Sequence, residues 1–250
     1  MPGGEATGRP IALTMGEPAG IGPDITLAAW LQRETLGLPP FYYLADPVAL
    51  RERAELLRLD CPIETVTPTG AADAFGRALP VVPLAGRVSG GPRQLDSRNA
   101  PSVVEAIARA VGDVRSGAAA AVVTNPINKK ALYDAGFQHP GHTEFLGTLS
   151  AAWTGTPGKP VMMLVGPELK AVPVTIHIPL HEVAGALSER LIVETGRIVA
   201  ADLRRRFRIA APRLGIAGLN PHAGEGGTMG TEEETIIRPA IAALEAEGIV

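Results

Sequence analysis

The amino-acid sequence predicts an α/β fold with a largely parallel sheet and helices on both of its faces. Short apolar runs alternate with longer segments of helical periodicity along the 250 residues, an order that is typical of α/β proteins. The runs at residues 11–15 and 119–124 are almost wholly apolar, as expected for strands that helices cover on both faces. Loops rich in glycine and proline join several strands to the next helix, and this repeated order favours parallel pairing.

Each element is assigned from an apolar run, a helix cap or a chain-breaking residue. Asp46 and Pro47 open a helix, and Ser188 is a candidate cap for the longest helical pattern. Thr231 and Glu234 have the spacing of a capping box at the start of the last helix. The predicted strands are residues 11–15, 41–45, 63–66, 79–83, 119–124, 160–165 and 171–175 as a hairpin, and 213–219. The predicted helices are 23–32, 46–57, one from 99, 128–135, 142–153, one from 179 or 180, 188–206 and 231–247.

Composition and charge exclude several classes of protein. Hydrophobic residues make up 46% and charged residues 20% of the chain, which is a globular rather than a disordered composition. The formal net charge of -3 indicates no basic face, so nucleic acid is not an expected partner. Cys61 has no second cysteine to pair with, no signal peptide is visible, and no apolar run reaches membrane-spanning length. We therefore expect a cytoplasmic protein that does not enter a membrane.

Two polar loops follow predicted strands in the first half of the chain. Residues 16–24, GEPAGIGPD, join a strand to a helix, which is where α/β folds bind ligands, but their spacing is not the dinucleotide fingerprint. This loop is either a tight turn or the lining of a cleft. Residues 124–130, TNPINKK, place Lys129 and Lys130 in the first turn of a helix, where a cation is unfavourable. The two lysines indicate either an anionic ligand or a solvated pair.

Three histidines lie in segments that could carry chemistry. His142 and Thr143 open a helix, so their side chains and the free amides there can face a phosphate or carboxylate, although a structural histidine is the alternative. His177 is predicted at a strand end and His222 at another, within a loop of four glycines. Two neutral imidazoles so placed could bind a divalent metal, but two ligands do not define a site. His181 is expected at the surface, because an intervening proline prevents it from sharing a helical face with His177.

These segments, in this order, resemble the 4-hydroxythreonine-4-phosphate dehydrogenase family of pyridoxal phosphate biosynthesis. The strings GEPAGIGPD, PGHTEFLG and LNPHAGEGGTMGTEE carry the match, which runs from residue 11 to the chain end. The resemblance implies an isocitrate/isopropylmalate dehydrogenase-like fold with two α/β domains and a cleft between them. We place the division at residues 1–126 and 127–250, with the metal and substrate residues in the second part. The family's chain returns to its first domain in a later segment.

The resemblance also implies roles for individual residues. His177 and His222 correspond to metal ligands, and His142 and Thr143 to substrate-binding residues. Lys129 lies in a matching motif and is assigned to the substrate cleft as a candidate catalytic residue. Residues that contact the cofactor are not assigned. The family's third metal histidine lies in a motif that would follow Val250, so we expect this chain to be a fragment of a longer polypeptide.

The activity implied by the resemblance is oxidation of 4-phosphohydroxy-L-threonine to 2-amino-3-oxo-4-phosphooxybutanoate, which decarboxylates to 3-amino-2-oxopropyl phosphate. NAD or NADP would accept the hydride, with Zn, Mg or Co as the divalent metal, in a homodimer whose active site lies near the subunit interface. Three alternatives stay open. They are a dehydrogenase of 4-phospho-D-threonate or 4-phospho-D-erythronate, a dehydrogenase of a cyclic dihydrodiol acid, and a non-catalytic protein that binds a phosphorylated metabolite.

Overall fold

The protein has two compact units in its computed structural model, which describes residues 8–139, 141–156 and 158–250. The first unit ends at Lys159 and the second begins at Pro160. The expected division into residues 1–126 and 127–250 assigns the segment 127–159 differently, and it stays a prediction.

A five-stranded parallel sheet forms the centre of the first unit. Its strands are β1 (Ile11–Thr14), β2 (Phe41–Ala45), β3 (Ile63–Thr65), β4 (Leu79–Pro83) and β5 (Val122–Val123). They lie in the order β3-β4-β2-β1-β5, and each neighbouring pair is parallel. The predicted α/β class is therefore confirmed, and all five predicted strands of this half are present, β5 as a short part of its predicted run.

Two helices of the first unit begin at a side-chain cap. Asp46 accepts a hydrogen bond from the Val48 amide, and Asn128 accepts one from the Ala131 amide. The helices are α1 (Gly22–Leu31), α2 (Pro47–Leu56), α3 (Ala71–Ala74), α4 (Ala100–Ser116), α5 (Lys129–Asp134) and α6 (His142–Thr154). Single turns of 3-10 helix lie at Pro68–Gly70 and Ser97–Asn99.

Two adjacent tyrosines of β2 demonstrate that the sheet is covered on both faces. Successive side chains of a strand point to opposite faces. The Tyr42 hydroxyl donates to Asp113 of α4 at 2.6 Å, whereas the Tyr43 hydroxyl donates to the Met15 carbonyl at 2.9 Å. Both tyrosines are buried. The wholly apolar β2 is thus explained by helices on each side, as parallel sheets require.

The single cysteine has a structural role in this unit. Cys61 packs against the main apolar cluster, and burial raises the pKa of its thiol to about 11. Since the thiolate is the reactive form, little of it is present at neutral pH.

The second unit is built mainly from two packed helices. Its elements are β6 (Leu164–Val165), β7 (Lys170–Ala171), α7 (Val183–Ala186), α8 (Glu189–Arg205) and α9 (Arg238–Ala246). The strands β6 and β7 form an antiparallel hairpin, as predicted, although each is shorter than expected. Ser188 caps α8 by accepting from the Leu191 amide, which confirms its predicted role. Helix α8 packs against α9, and Leu244 lies so close to Gly196 that a Cβ there would be 2.7 Å from its Cδ1.

Two predictions for the second unit are wrong. Residues 213–219 form no strand; the Leu214 amide donates to the Val250 carbonyl, and the described residues offer this segment no ladder partner. The last helix does not start with a capping box, because the Glu234 amide donates to the Thr231 carbonyl at 3.0 Å and not to the Thr231 hydroxyl. A π-helical turn, Glu233–Ile237, leads into α9 instead.

The loops that follow β1 and β5 meet at the edge of the first sheet. The chain runs from β1 to β2 on one side, whereas β5 lies on the other side of β1, so this is a topological switch point, where open α/β sheets bind ligands. The Glu17 amide donates to the Pro126 carbonyl at 2.8 Å. Gly16 has a φ of +69°, and a Cβ on it would lie 2.6 Å from that same carbonyl oxygen and 2.7 Å from the Asn125 Cβ.

We expect Gly16→Ala to lower the free energy of unfolding by about 3 kcal/mol or more, since left-handed strain and overlap with fixed backbone add together. Gly37→Ala is the matched control, because Gly37 has a φ of +58° with nothing within 4 Å of an added Cβ. Gly37→Ala should lower the free energy of unfolding by only about 1–2 kcal/mol. Urea unfolding of the two variants measures the difference, and equal losses would contradict the close approach of the two loops.

Candidate active site

The start of α6 gathers the candidate residues of the first unit. His142 is the first residue of α6, and the buried Gly141 is its N-cap. Lys129, the first residue of α5, reaches this point: a Cβ on Gly141 would lie 3.6 Å from the Lys129 ammonium nitrogen and 3.3 Å from Oε2 of Glu144. The structure thus brings His142 and Lys129 together, with Thr143 exposed one residue further on.

The electrostatics of this point favour an anion. The free amides of a helix start carry partial positive charge and Lys129 adds a full one, while the Glu144 carboxylate close to Gly141 offsets part of it. Lys129 forms no ion pair within the described part of the chain, whereas Lys130 pairs with Asp134 at 2.7 Å. Of the two lysines that the sequence leaves equivalent, Lys129 is the one directed to the candidate site.

His142 is held neutral and is available to a ligand. Burial lowers the pKa of His142, and the positive charge of Lys129 lowers it further. Its Nε2 is buried and has no hydrogen-bond partner among the described residues. A buried polar atom without a partner costs free energy, so this nitrogen is poised to accept or donate a hydrogen bond when a ligand arrives. By contrast, His139 packs against the Phe137 and Phe145 rings and is structural.

His177 is exposed in the second unit, but not at a strand end as predicted. It lies in a bend after β7 with a φ of +58°, which a strand, with φ near −120°, does not permit. A residue other than glycine in this region is strained, and such strain is frequent at ligand-binding positions. His181 lies in the 3-10 turn Leu180–Glu182 and is exposed, as predicted.

His222 is also exposed, in the turn that follows the extended residues 213–219 rather than at the end of a strand. Its Nδ1 lies 2.9 Å from Oε1 of Glu225. When Nδ1 carries the hydrogen, it donates to this carboxylate and leaves the Nε2 lone pair free. A carboxylate on the second ring nitrogen is the usual arrangement for a histidine that binds a metal.

The metal-binding prediction can be tested against this chemistry. His177 and His222 offer exposed imidazoles, and Glu225 orients one of them. These are donors of the kind that zinc and cobalt accept. Within the described ranges no three or more His, Cys, Asp or Glu side chains cluster to hold a metal ion. The donor chemistry of His177 and His222 thus suits such a metal, and their assignment as ligands of one ion stays a prediction.

Sequence reasoning missed two residues that shape these loops. Asn125 is buried, and its amide nitrogen donates to the Thr14 carbonyl and to the Thr26 hydroxyl, each at 3.0 Å. Glu233 is buried and accepts from the Asn220 amide at 2.9 Å, a contact that lowers the pKa of its carboxyl group. A polar residue that follows a buried strand is the signal for Asn125. The run of three glutamates at 232–234 gives no signal for which of them is buried.

Comparison with known proteins decides the family. Residues 38–250 match the family described as pyridoxal phosphate biosynthetic protein PdxA. The chain belongs to this family. A 4-hydroxythreonine-4-phosphate dehydrogenase from Methylorubrum populi is 54% identical over 243 residues, which cover 96% of this chain and 70% of that protein.

Solved structures agree with this membership. A 4-hydroxythreonine-4-phosphate dehydrogenase from Klebsiella pneumoniae matches with a TM-score of 0.81 at 33% identity, over 96% of this chain and 73% of that one. A terephthalate 1,2-cis-dihydrodiol dehydrogenase from Burkholderia xenovorans matches with a TM-score of 0.60 at 25% identity, over 97% and 72%. The implied isocitrate/isopropylmalate dehydrogenase-like fold and membership of a dehydrogenase family are confirmed.

The membrane prediction can be compared with the helices. None of the helices in the described ranges is both long enough and apolar enough to span a membrane.

We expect Lys129→Gln to raise the pKa of His142, because the substitution removes the positive charge that lowers it. Lys130→Gln is the matched control and should leave the pKa unchanged, since Asp134 already pairs with that lysine. A pH titration of the His142 ring followed by NMR measures both. An equal response to the two substitutions would show that Lys129 does not act on this ring.

Proposed function

We propose that this PdxA-family chain oxidises 4-phosphohydroxy-L-threonine with NAD or NADP and a divalent metal. The product is 2-amino-3-oxo-4-phosphooxybutanoate, which loses carbon dioxide to give 3-amino-2-oxopropyl phosphate. The observation that carries the proposal is the buried, unpartnered Nε2 of His142 beside Lys129 at the start of α6. The names of the relatives support the same substrate.

The residues at the start of α6 are assigned to the phosphate. Lys129 supplies a full positive charge, and the amides at the helix start supply donors. His142 and Thr143 add hydrogen bonds. Because His142 is neutral at pH 7, its ring can act as a donor or an acceptor without adding charge. The net charge of -3 gives no general attraction for an anion, so affinity must come from this local cluster.

His177 and His222 are assigned to the metal, and Glu225 orients His222 through its Nδ1. A bound divalent cation and NAD would supply Lewis-acid and hydride-acceptor chemistry at the secondary alcohol. The chain's own contribution is to hold the hydroxyl and the phosphate in a fixed orientation. The choice among Zn, Mg and Co, the homodimer with its active site near the interface, and a cytoplasmic location belong to the same proposal. So does the placement of these residues in a domain of residues 127–250.

We expect the full-length protein to form NADH from 4-phosphohydroxy-L-threonine and to lose this activity when a chelator is added. His177→Ala and His222→Ala should each lower kcat/KM by more than about 100-fold, since loss of a ligand should exceed the 10–100-fold effect of an outer-sphere residue. His181→Ala is the control, an exposed histidine of the same segment. The rate of NADH formation by the parent and the three variants is measured from the NADH absorbance.

The same assay separates the alternatives. Turnover of 4-phospho-D-erythronate or 4-phospho-D-threonate alone would keep the chemistry and change the substrate. Turnover of a cyclic dihydrodiol acid alone would remove the phosphate assignment at α6. If the metal-loaded protein forms no NADH from any of these, the dehydrogenase proposal is wrong, and binding of the phosphorylated compounds without turnover becomes the better account.

A further inference from the structure

The loop that carries His222 closes on a buried carboxylate. We call residues 218–230 the glycine-rich loop. Glu233 lies just after it, at the start of the π-helical turn, and is 7% exposed. Its Oε1 accepts a hydrogen bond from the Asn220 amide at 2.9 Å. Glu233 in the π-helical turn thus binds the backbone of Asn220, the third residue of the glycine-rich loop.

Asn220 passes this constraint to His222. Its Oδ1 accepts from the His222 amide at 2.9 Å, and its Nδ2 donates to the Met229 carbonyl at 3.0 Å. The side chain of Asn220 therefore ties the two ends of the loop together, while its backbone amide is held by Glu233. Two hydrogen bonds connect the buried carboxylate to the backbone of His222.

Gly218 and Gly224 of the loop lie close to the Glu233 carboxylate. A Cβ on Gly224, which has a φ of +70°, would lie 3.1 Å from Oε2 of Glu233 and 2.6 Å from the Gly230 carbonyl oxygen. A Cβ on Gly218 would lie 3.4 Å from Oε1. The Gly230 carbonyl and the positive φ exclude a side chain at Gly224, and the backbone at both glycines passes close to the Glu233 carboxylate.

The Glu233 carboxylate is held by the backbone of the loop, because the bond from the Asn220 amide stabilises its charged form. Oε2 of Glu233 is buried and has no hydrogen-bond partner among the described residues. Glu233 also forms no ion pair within those ranges. A buried carboxylate that is bound to a loop amide and to no cation fixes the geometry of that loop.

We propose that Glu233 is a positioning residue for His222, acting through Asn220. The carboxylate sets the backbone of the glycine-rich loop, and Asn220 sets the orientation of the His222 backbone from which the imidazole projects. The role of His222 as a metal ligand rests on the proposed function. The hydrogen-bonded path from Glu233 to His222 does not depend on it.

The first test measures hydrogen exchange in the glycine-rich loop in the absence of metal and substrate. Glu233→Met removes the acceptor, whereas Glu233→Gln keeps a carboxamide oxygen for the Asn220 amide. Hydrogen exchange of peptides that cover residues 218–230, measured by mass spectrometry on the full-length protein, should be at least about 10-fold faster in Glu233→Met. It should be close to the parent in Glu233→Gln. Glu234→Gln is the matched control, because Glu234 is exposed and pairs with Arg238 at 2.9 Å on the surface. Unchanged exchange in a folded Glu233→Met protein overturns the proposal.

The second test measures the affinity for a metal ion. We expect the affinity for Co²⁺, followed by its visible absorption spectrum, to fall about 10-fold in Glu233→Met, in the range for outer-sphere residues. Glu233→Gln should restore it, and Glu234→Gln should leave it unchanged. If exchange quickens in Glu233→Met but Co²⁺ affinity stays that of the parent, Glu233 does not position a ligand and the proposal fails. If His222→Ala does not weaken Co²⁺ binding in the parent, the proposed function fails instead, and the exchange result still decides the path to His222.

Discussion

One buried amide determines how the first unit presents its candidate site. Asn125 follows β5, and its side chain is fixed by the Thr14 carbonyl and the Thr26 hydroxyl. Because an unpaired amide in an apolar interior is costly, these bonds hold the loop after β5 against β1 and α1. Gly16 can then pass close to Asn125 only without a side chain. Lys129 follows four residues later at the start of α5, so its position depends on this junction.

The site at α6 combines a neutral histidine with one lysine that forms no ion pair among the described residues. Partial burial of His142 disfavours the imidazolium, and the neighbouring ammonium of Lys129 disfavours it again. Both effects act in the same direction, so the substrate phosphate proposed to bind here would meet a neutral ring and one cation rather than two. A phosphate carries up to two negative charges near neutral pH, and the helix start supplies the remaining positive potential. Specificity is therefore expected to come from hydrogen-bond geometry more than from total charge.

The sequence predicts the strands and helices of the first unit well because the signals for each element lie within or next to that element. An apolar run followed by a cap, as at Asp46, defines both the strand and the next helix. The second unit shows where such signals fail. Leu214 and Ile216 pack against the core in alternation, as the pattern at 213–219 implies, yet apolar periodicity reports burial and not a hydrogen-bonding partner. The capping-box spacing of Thr231 and Glu234 likewise reports a local pattern, and it does not reveal that the helix begins with a π-helical turn in which Glu233 is buried.

Several residues of the second unit have a strained backbone conformation. His177, Ala223 and Glu225 have φ values of +58°, +50° and +41°, which residues other than glycine rarely adopt. Each such conformation costs about 1 kcal/mol or more and persists only where the surroundings enforce it. In the same unit, the helices α8 and α9 pack closely at Gly196. Glu233, at the base of α9, connects this pair to the loop. A histidine held in this way loses less conformational entropy when it binds a ligand, which is the advantage that offsets the strain.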